Sequence, residues 1–225
     1  MILVRNLSKS FWRNSVLEDI NYTFSAGKIY GIMGENGAGK STLFKCIMGQ
    51  ESYNGEVIKP KPLRVGYLND TPFFYSFVTG MEYITFCLKA RNLQINKQEI
   101  NKLNEKFALP LEKYATSYSL GMKKRLMILG LMLQNNDLVI MDEPFNGLDL
   151  TGSIILKQWI NRMKKEGKCV ILSSHIISVL TEICDDISYI HNGKVVANYS
   201  GKSAGEIEQS ISKLYFNIEK DMDLP

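Results

Sequence analysis

The run Gly34-Glu35-Asn36-Gly37-Ala38-Gly39-Lys40-Ser41-Thr42 follows the pattern G-x-x-x-x-G-K-[ST], and its flanks constrain the fold more than any other part of the chain. Before it, the apolar stretch Ile29 to Met33 reads as a buried parallel strand. After it, Ser41 to Gln50 reads as a helix with Leu43, Phe44, Ile47 and Met48 on one face. A strand, a glycine-rich loop and a helix in that order place the loop at a helix N-terminus, where backbone N–H groups attract anions. Glycines let several such groups approach a polyphosphate that a side chain would block. Gly34, Asn36, Gly37, Ala38, Gly39, Lys40, Ser41 and Thr42 are therefore the expected phosphate cradle. Lys40 is expected to reach the β and γ phosphates, and the Ser41 hydroxyl to ligate Mg²⁺.

Further along, strands are expected near Leu63 to Leu68, at Leu138 to Met141 and at Cys169 to Ser173, alternating with helical patterns. Such alternation predicts an α/β fold with a mostly parallel sheet. Ahead of it, Ile2 to Leu7 and the alternating Ile20, Tyr22 and Phe24 predict a small antiparallel subdomain ending about Phe24. Between Asp70 and Tyr118 the periodicity becomes helical, through Met81, Ile84 and Leu88 and then through Ile95 to Leu109, stopping before Pro110. The expected organisation is one domain over 1–225. Its core covers 1–69 and 119–200, a helical subdomain is inserted at 70–118, and a C-terminal extension at 201–225 ends in an amphipathic helix with a frayed end. The insert opens with Phe73-Phe74-Tyr75-Ser76-Phe77, which reads equally as a partner-docking surface or as a packing seam.

Composition narrows the function. The formal net charge of +4 over 225 residues is spread along the chain, and its densest cluster, Lys123-Lys124-Arg125, reads as a solvated helix face. Nucleic acid is not expected as a partner. The longest apolar run, Leu126 to Leu133, contains Gly130 and falls short of the ~18 residues that a membrane span needs. Met1 to Val4, followed at once by Arg5, is too short for a signal-peptide core, which makes the cytoplasm the expected compartment. Cys46, Cys87, Cys169 and Cys184 show no C-x-x-C spacing and read as reduced thiols without zinc or disulfides. Asn192-Gly193 signals a two-residue hairpin between Ile187 to Ile190 and Lys194 to Tyr199, with His191 at a strand end.

The strand Leu138 to Met141 runs into Asp142-Glu143-Pro144. Asp142 is expected to hold Mg²⁺ and Glu143 to orient or deprotonate an attacking water. A surface turn is the bland alternative, since Asp, Glu and Pro commonly follow strands. Tyr118 to Leu126 opens another helix, with Ser119 as N-cap. The same N-terminus can receive phosphate from outside the chain.

The order of these motifs resembles the nucleotide-binding subunit of the ATP-binding cassette (ABC) transporter family, an α/β P-loop NTPase, from Phe11 to at least His175. Gly34 to Thr42 is similar to the Walker A loop, Tyr118 to Met122 to the signature sequence, and Met141 to Pro144 to Walker B. Gly147-Leu148-Asp149 resembles the D-loop, and Ser173-Ser174-His175 the switch histidine segment. The resemblance implies ATP and Mg²⁺ as ligands, with Phe11 stacking on adenine and Ser119 and Gly121 contacting the γ-phosphate of ATP on another subunit. It also implies catalysis by Lys40, Glu143 and His175, and metal binding by Ser41, Asp142 and Asp70. Asp70 stands where the family often has Gln, and Leu120 and Met122 replace the signature's first glycine and its glutamine. The implied protein hydrolyses ATP as a homodimer, or as a heterodimer with a second cassette. It works on the cytoplasmic face of the cell membrane, powering transport through transmembrane permease subunits. Export of peptides, antibiotics or lipids is favoured over import. A soluble ABC-type ATPase acting on nucleic acid or ribosomes is the alternative, and a regulatory cassette that does not cycle is a third reading.

Overall fold

The strands buried at every position, Ile29–Met33, Leu138–Met141 and Cys169–Ser174, sit side by side in one sheet. In the computed structural model, which describes residues 1–221, β1 (Ile2–Phe11) and β2 (Asn14–Phe24) pair antiparallel. After β3 (Ile29–Met33) enters a second sheet, β4 (Asn54–Ile58) returns to the free edge of β1, giving the order β2-β1-β4. The antiparallel unit is thus larger than the segment ending about Phe24. Its third strand was invisible in sequence because Asn54, Gly55 and Glu56 are exposed and carry no apolar alternation.

The second sheet has the order β5-β6-β7-β3-β8-β9. Its members are β5 (Val65–Leu68), β6 (Leu138–Met141), β7 (Cys169–Ser174), β8 (Asp186–His191) and β9 (Lys194–Ser200), with β3 between β7 and β8. All of these pairs are parallel except the β8–β9 hairpin. Side chains of the buried strands alternate between two cores. Ile29, Met33, Val139, Met141, Val170 and Leu172 face one layer of helices. Tyr30, Ile32, Leu138, Ile140, Cys169 and Ile171 face the other core, which the antiparallel sheet and the first helix close. The hairpin turn at Asn192-Gly193 has positive φ at both residues (46° and 74°), as the expected tight turn requires.

The helices are α1 (Lys40–Met48), α2 (Gly80–Lys89), α3 (Lys97–Asn104), α4 (Leu120–Leu133), α5 (Leu150–Lys165), α6 (Ile177–Ile183) and α7 (Ala204–Asp221). The amphipathic stretch Ile95 to Leu109 is not one helix. It forms α3 only, because the Asn104 side chain accepts from the Leu109 N–H and donates to its carbonyl, and Ala108 takes a left-handed φ of 51°. Asn96 caps α3, and Ile100 is its buried anchor, worth about 1.5–3 kcal/mol. The expected frayed end of the terminal helix falls partly on 222–225, outside the described residues.

Lys123-Lys124-Arg125 is not a solvated face. Lys124 is 1% exposed, Lys123 is half-buried, and the Arg125 guanidinium donates to the Phe107 carbonyl. The aromatic run divides between its two readings. Phe74 is buried and meets Tyr83 edge to face, with ring centroids 4.9 Å apart, while Phe73, Tyr75 and Phe77 stand out in solvent. All four cysteines are free thiols.

Candidate functional site

The loop after β3 is shaped by what a side chain would strike. A Cβ on Gly34 would lie 2.5 Å from the Ile190 carbonyl oxygen. Gly39, at φ 106°, has Leu17 and the Val16 carbonyl within 3 Å of the same point. Gly39 also occupies the N-cap position of α1 without contributing a side-chain cap, so the first N–H groups of that helix have no capping side chain. Lys40 is 6% exposed, and its ammonium donates to the carbonyls of Gly34 (2.6 Å) and Glu35 (3.0 Å), spanning the loop from inside. A cleft of about 170 Å³ opens here, and all of the expected cradle except Gly34 and Ala38 lines it. It also receives Asp70, Asp142 and Glu143.

β6 delivers the two carboxylates and β7 locks them. Ser173, fully buried, donates from Oγ to Asp142 Oδ1 (2.6 Å) and accepts from the Glu143 N–H (2.9 Å). Glu143 has φ 44°, a left-handed conformation that costs a non-glycine residue about 1 kcal/mol or more. Its Oε2 lies 3.1 Å from His175 Nδ1. Its Oε1 is buried, has no hydrogen-bond partner, and sits 3.6 Å from Lys40 Nζ. Tyr67, on β5 beside this cluster, holds a buried hydroxyl without a hydrogen bond. Burial first, then the charges of Asp142 and Asp70, push that phenol's pKa up.

The other expected residues lie outside the cleft. Phe11 is at the end of β1, 40% exposed, with Lys9 Nζ 4.4 Å from its ring centre. Its neighbour Trp12 is fully exposed. Ser119 caps α4 by accepting from the Met122 N–H (3.3 Å), and Gly121 packs so closely that a Cβ would lie 2.7 Å from the Gly147 carbonyl oxygen. Asp149 caps α5 through the Gly152 N–H (2.8 Å).

Two contributors escaped sequence reasoning. Ser173 was visible only as a polar residue ending an apolar strand. Lys124 lay hidden in a basic triplet: its ammonium donates to the carbonyls of Glu143 (2.6 Å) and Asn146 (3.0 Å) and lies 3.5 Å from Asp70 Oδ1. Burial lowers the Lys124 pKa, and Asp70 opposes that shift.

The sequence profile of the family described as ABC transporter matches residues 17–146, the stretch that holds the loop, the cap of α4 and both carboxylates. The chain belongs to the ABC transporter family. It is an ATP-binding subunit serving ATP-powered transport. The bacitracin transport ATP-binding protein BcrA of Enterococcus faecalis is 35% identical over 210 residues, spanning 87% of this chain and 68% of that protein. The lantibiotic transport ATP-binding protein SrtF of Streptococcus pyogenes is 31% identical over 224 residues, spanning 93% and 95%. A solved structure described as the ATP binding subunit of an ABC transporter superposes with a TM-score of 0.84 at 28% identity, spanning 94% of this chain and 99% of that one.

Proposed function

We propose that this subunit hydrolyses ATP between its own cleft and the Ser119 end of α4 on a second cassette, and that the cycle drives export through separate membrane-spanning subunits. The observation that carries the proposal is the Glu143 carboxylate, fixed between Lys40 and His175 with one oxygen bearing no hydrogen bond. A buried acceptor without a donor costs about 1–3 kcal/mol, which favours a role for it when water and nucleotide enter.

The residues fit Mg²⁺-ATP. The glycine-shaped loop and the start of α1 offer N–H donors to the phosphates, and Lys40 has a buried ammonium to swing from its carbonyl partners onto the β and γ oxygens. Ser41 and Asp142, with Asp70 at the same cleft, form a hard oxygen donor set that would hold Mg²⁺. Bound there, the metal would neutralise charge on the phosphate oxygens. Ser173 leaves Asp142 one carboxylate oxygen for that task. Glu143 Oε1 takes a proton from water, the water oxygen bonds to the γ-phosphorus, and the bond to the β–γ bridging oxygen breaks, its electrons leaving with ADP. His175 keeps the carboxylate aimed by holding Oε2. Phe11, 40% exposed at the end of β1, offers the ring on which adenine stacks.

Ser119 and Gly121 do not line the cleft of their own chain, which supports a head-to-tail dimer in which each cassette completes the other's site. Among the described residues no helix is long and apolar enough to cross a membrane, so membrane coupling needs a partner. Phe73, Tyr75, Phe77 and Phe86 provide an exposed apolar surface for a permease on the cytoplasmic side. Relatives named for bacitracin and lantibiotic transport favour antimicrobial peptides as cargo.

Glu143→Gln tests the catalytic assignment. It should retain ATP binding while turnover falls by about 10²–10⁴-fold, the usual worth of a general base. Undiminished hydrolysis by this variant would remove Glu143 from the mechanism. Purification from detergent-solubilised membranes should recover a polytopic partner in near-equal amount, and recovery without one would refute the transport coupling.

A further inference from the structure

The buried ammonium of Lys124 lies where the signature helix, the Asp70 segment and the catalytic carboxylate's backbone meet. We propose that Lys124 is a positioning residue of the hydrolytic site, fixing the backbone of Glu143 and tethering the Asp70 segment to it. This rests on the hydrolytic reading of the cleft.

An ordinary helix-face lysine lays its methylenes on the protein and keeps its charge in water. Lys124 is 1% exposed, and its three N–H donors are matched by the Glu143 carbonyl, the Asn146 carbonyl and Asp70 Oδ1. Burying a charge gives little net stability over an apolar residue of similar size, so what the ammonium retains is geometry. The geometry concerned is unusual. Glu143 is left-handed at φ 44°, and the peptide on one side of it is held by Ser173 through its N–H, while the peptide on the other side is held by Lys124 through its carbonyl. Both constraints act on the residue whose Oε1 is left without a hydrogen bond.

The third contact reaches outward. Asp70 follows β5, and the exposed aromatic run begins at Phe73, close after it in the chain. The Lys124 ammonium thus joins the segment that leads into that run to the Glu143 carbonyl. Asp70 therefore serves Lys124 as well as lining the cleft.

The test measures steady-state hydrolysis over a range of ATP and Mg²⁺ concentrations, with binding of a fluorescent ATP analogue in EDTA measured beside it. Lys124→Met should lower kcat by about 10–100-fold, the scale of a small misplacement of a catalytic group. Its KM and its analogue binding in EDTA should shift by less than about twofold, because ground-state binding is untouched. Lys124→Arg should recover part of kcat. Asp70→Asn should lower kcat by itself, and its effect should largely vanish in the Lys124→Met background. Equal loss of nucleotide binding and kcat, no recovery with arginine, or additive effects of the two substitutions on kcat at saturating Mg²⁺ would each overturn the proposal. If Lys124→Met does not fold, the half-exposed Asp70→Asn decides alone: reduced kcat at saturating Mg²⁺ supports the tether, and unchanged kcat at saturating Mg²⁺ refutes it. Glu143→Gln run in parallel separates the two readings. If that variant stays active, the hydrolytic assignment itself has failed; if it is inactive while Lys124→Met is not, only the positioning role has.

Discussion

Asp70 lines the cleft at the glycine-rich loop and shortly precedes the exposed aromatic run, and these two regions satisfy their side chains in opposite ways. In the cleft, Lys40, Asp142, Glu143 and Ser173 are all buried, and each is held by partners within the chain. On the insert, Phe73 (72%), Tyr75 (75%) and Phe77 (79%) are exposed, and the ring contacts recorded for them are Phe73 with Tyr75 and Phe77 with Tyr114. The side chains of the first surface are fixed before any ligand arrives, which is the arrangement that preorganised groups use. The second leaves apolar area in water, which becomes favourable only when another molecule covers it. The contrast teaches where change is tolerated: the cleft resists substitution because it is overdetermined, and the insert tolerates it until a partner is present.

The strongest challenge to this contrast is Lys40→Ala. It removes the one buried cation that spans the loop, and ATP hydrolysis should fall by about 10²-fold or more, with weakened nucleotide binding. Near-normal binding would show that the backbone donors alone hold the phosphates. Ser173→Ala should come next. It strips the Asp142 and Glu143 N–H contacts together, costing about 1–3 kcal/mol of stability in a denaturant melt and about tenfold in kcat. A stable variant with full activity would mean that the carboxylates need no lock from β7.

The insert should behave in reverse. Phe73→Ser with Phe77→Ser removes exposed apolar area, so the isolated chain should keep its melting temperature and its own hydrolysis nearly unchanged, since surface substitutions usually alter stability by no more than about 0.5 kcal/mol. Co-purification of the membrane partner should be lost. Retained partner and lost hydrolysis would invert the comparison and make the aromatic run part of the enzyme's own packing.

Much of this division was readable in the sequence, because short-range patterns carried it. The loop, β3, α1, β6 and the hairpin turn follow from local chemistry: apolar runs, glycines and an Asn-Gly pair. What escaped depends on contacts distant in the chain. β4 pairs with β1 across about fifty residues, and nothing in Asn54-Gly55-Glu56 signals a strand. Lys124 lies in a triplet that looks like a wetted helix face, and only the fold shows two carbonyls and a carboxylate waiting for its ammonium. That Asp142 and Glu143 would meet the glycine-rich loop was legible, but not that β7 would supply the Ser173 lock, since a serine at a strand end has many commoner uses. The amphipathic stretch ending at Leu109 failed for a local reason: the side chain of Asn104 competes with the backbone for hydrogen bonds.

The weakest effect tests the exposed end of the scale, at the start of α7. Glu206 accepts from Lys202 Nζ (2.9 Å), from the Ser203 N–H (2.9 Å) and from the Ser203 hydroxyl (2.9 Å). Those contacts, Lys202 first, pull its pKa from 4.5 down to about 2. A carboxylate with a depressed folded pKa stabilises fully above its unfolded value, and that contribution is lost as the pH falls through the folded one. The turn around Ser203 should therefore lose amide protection as the pH drops from 4.5 to about 2, read by hydrogen exchange. Glu206→Gln should flatten that dependence while leaving hydrolysis in the cleft untouched. Because the group is exposed, added salt should shrink the effect. A pH response of the same size in the glutamine variant would place its origin elsewhere in α7, and the local character claimed for exposed contacts would fail with it.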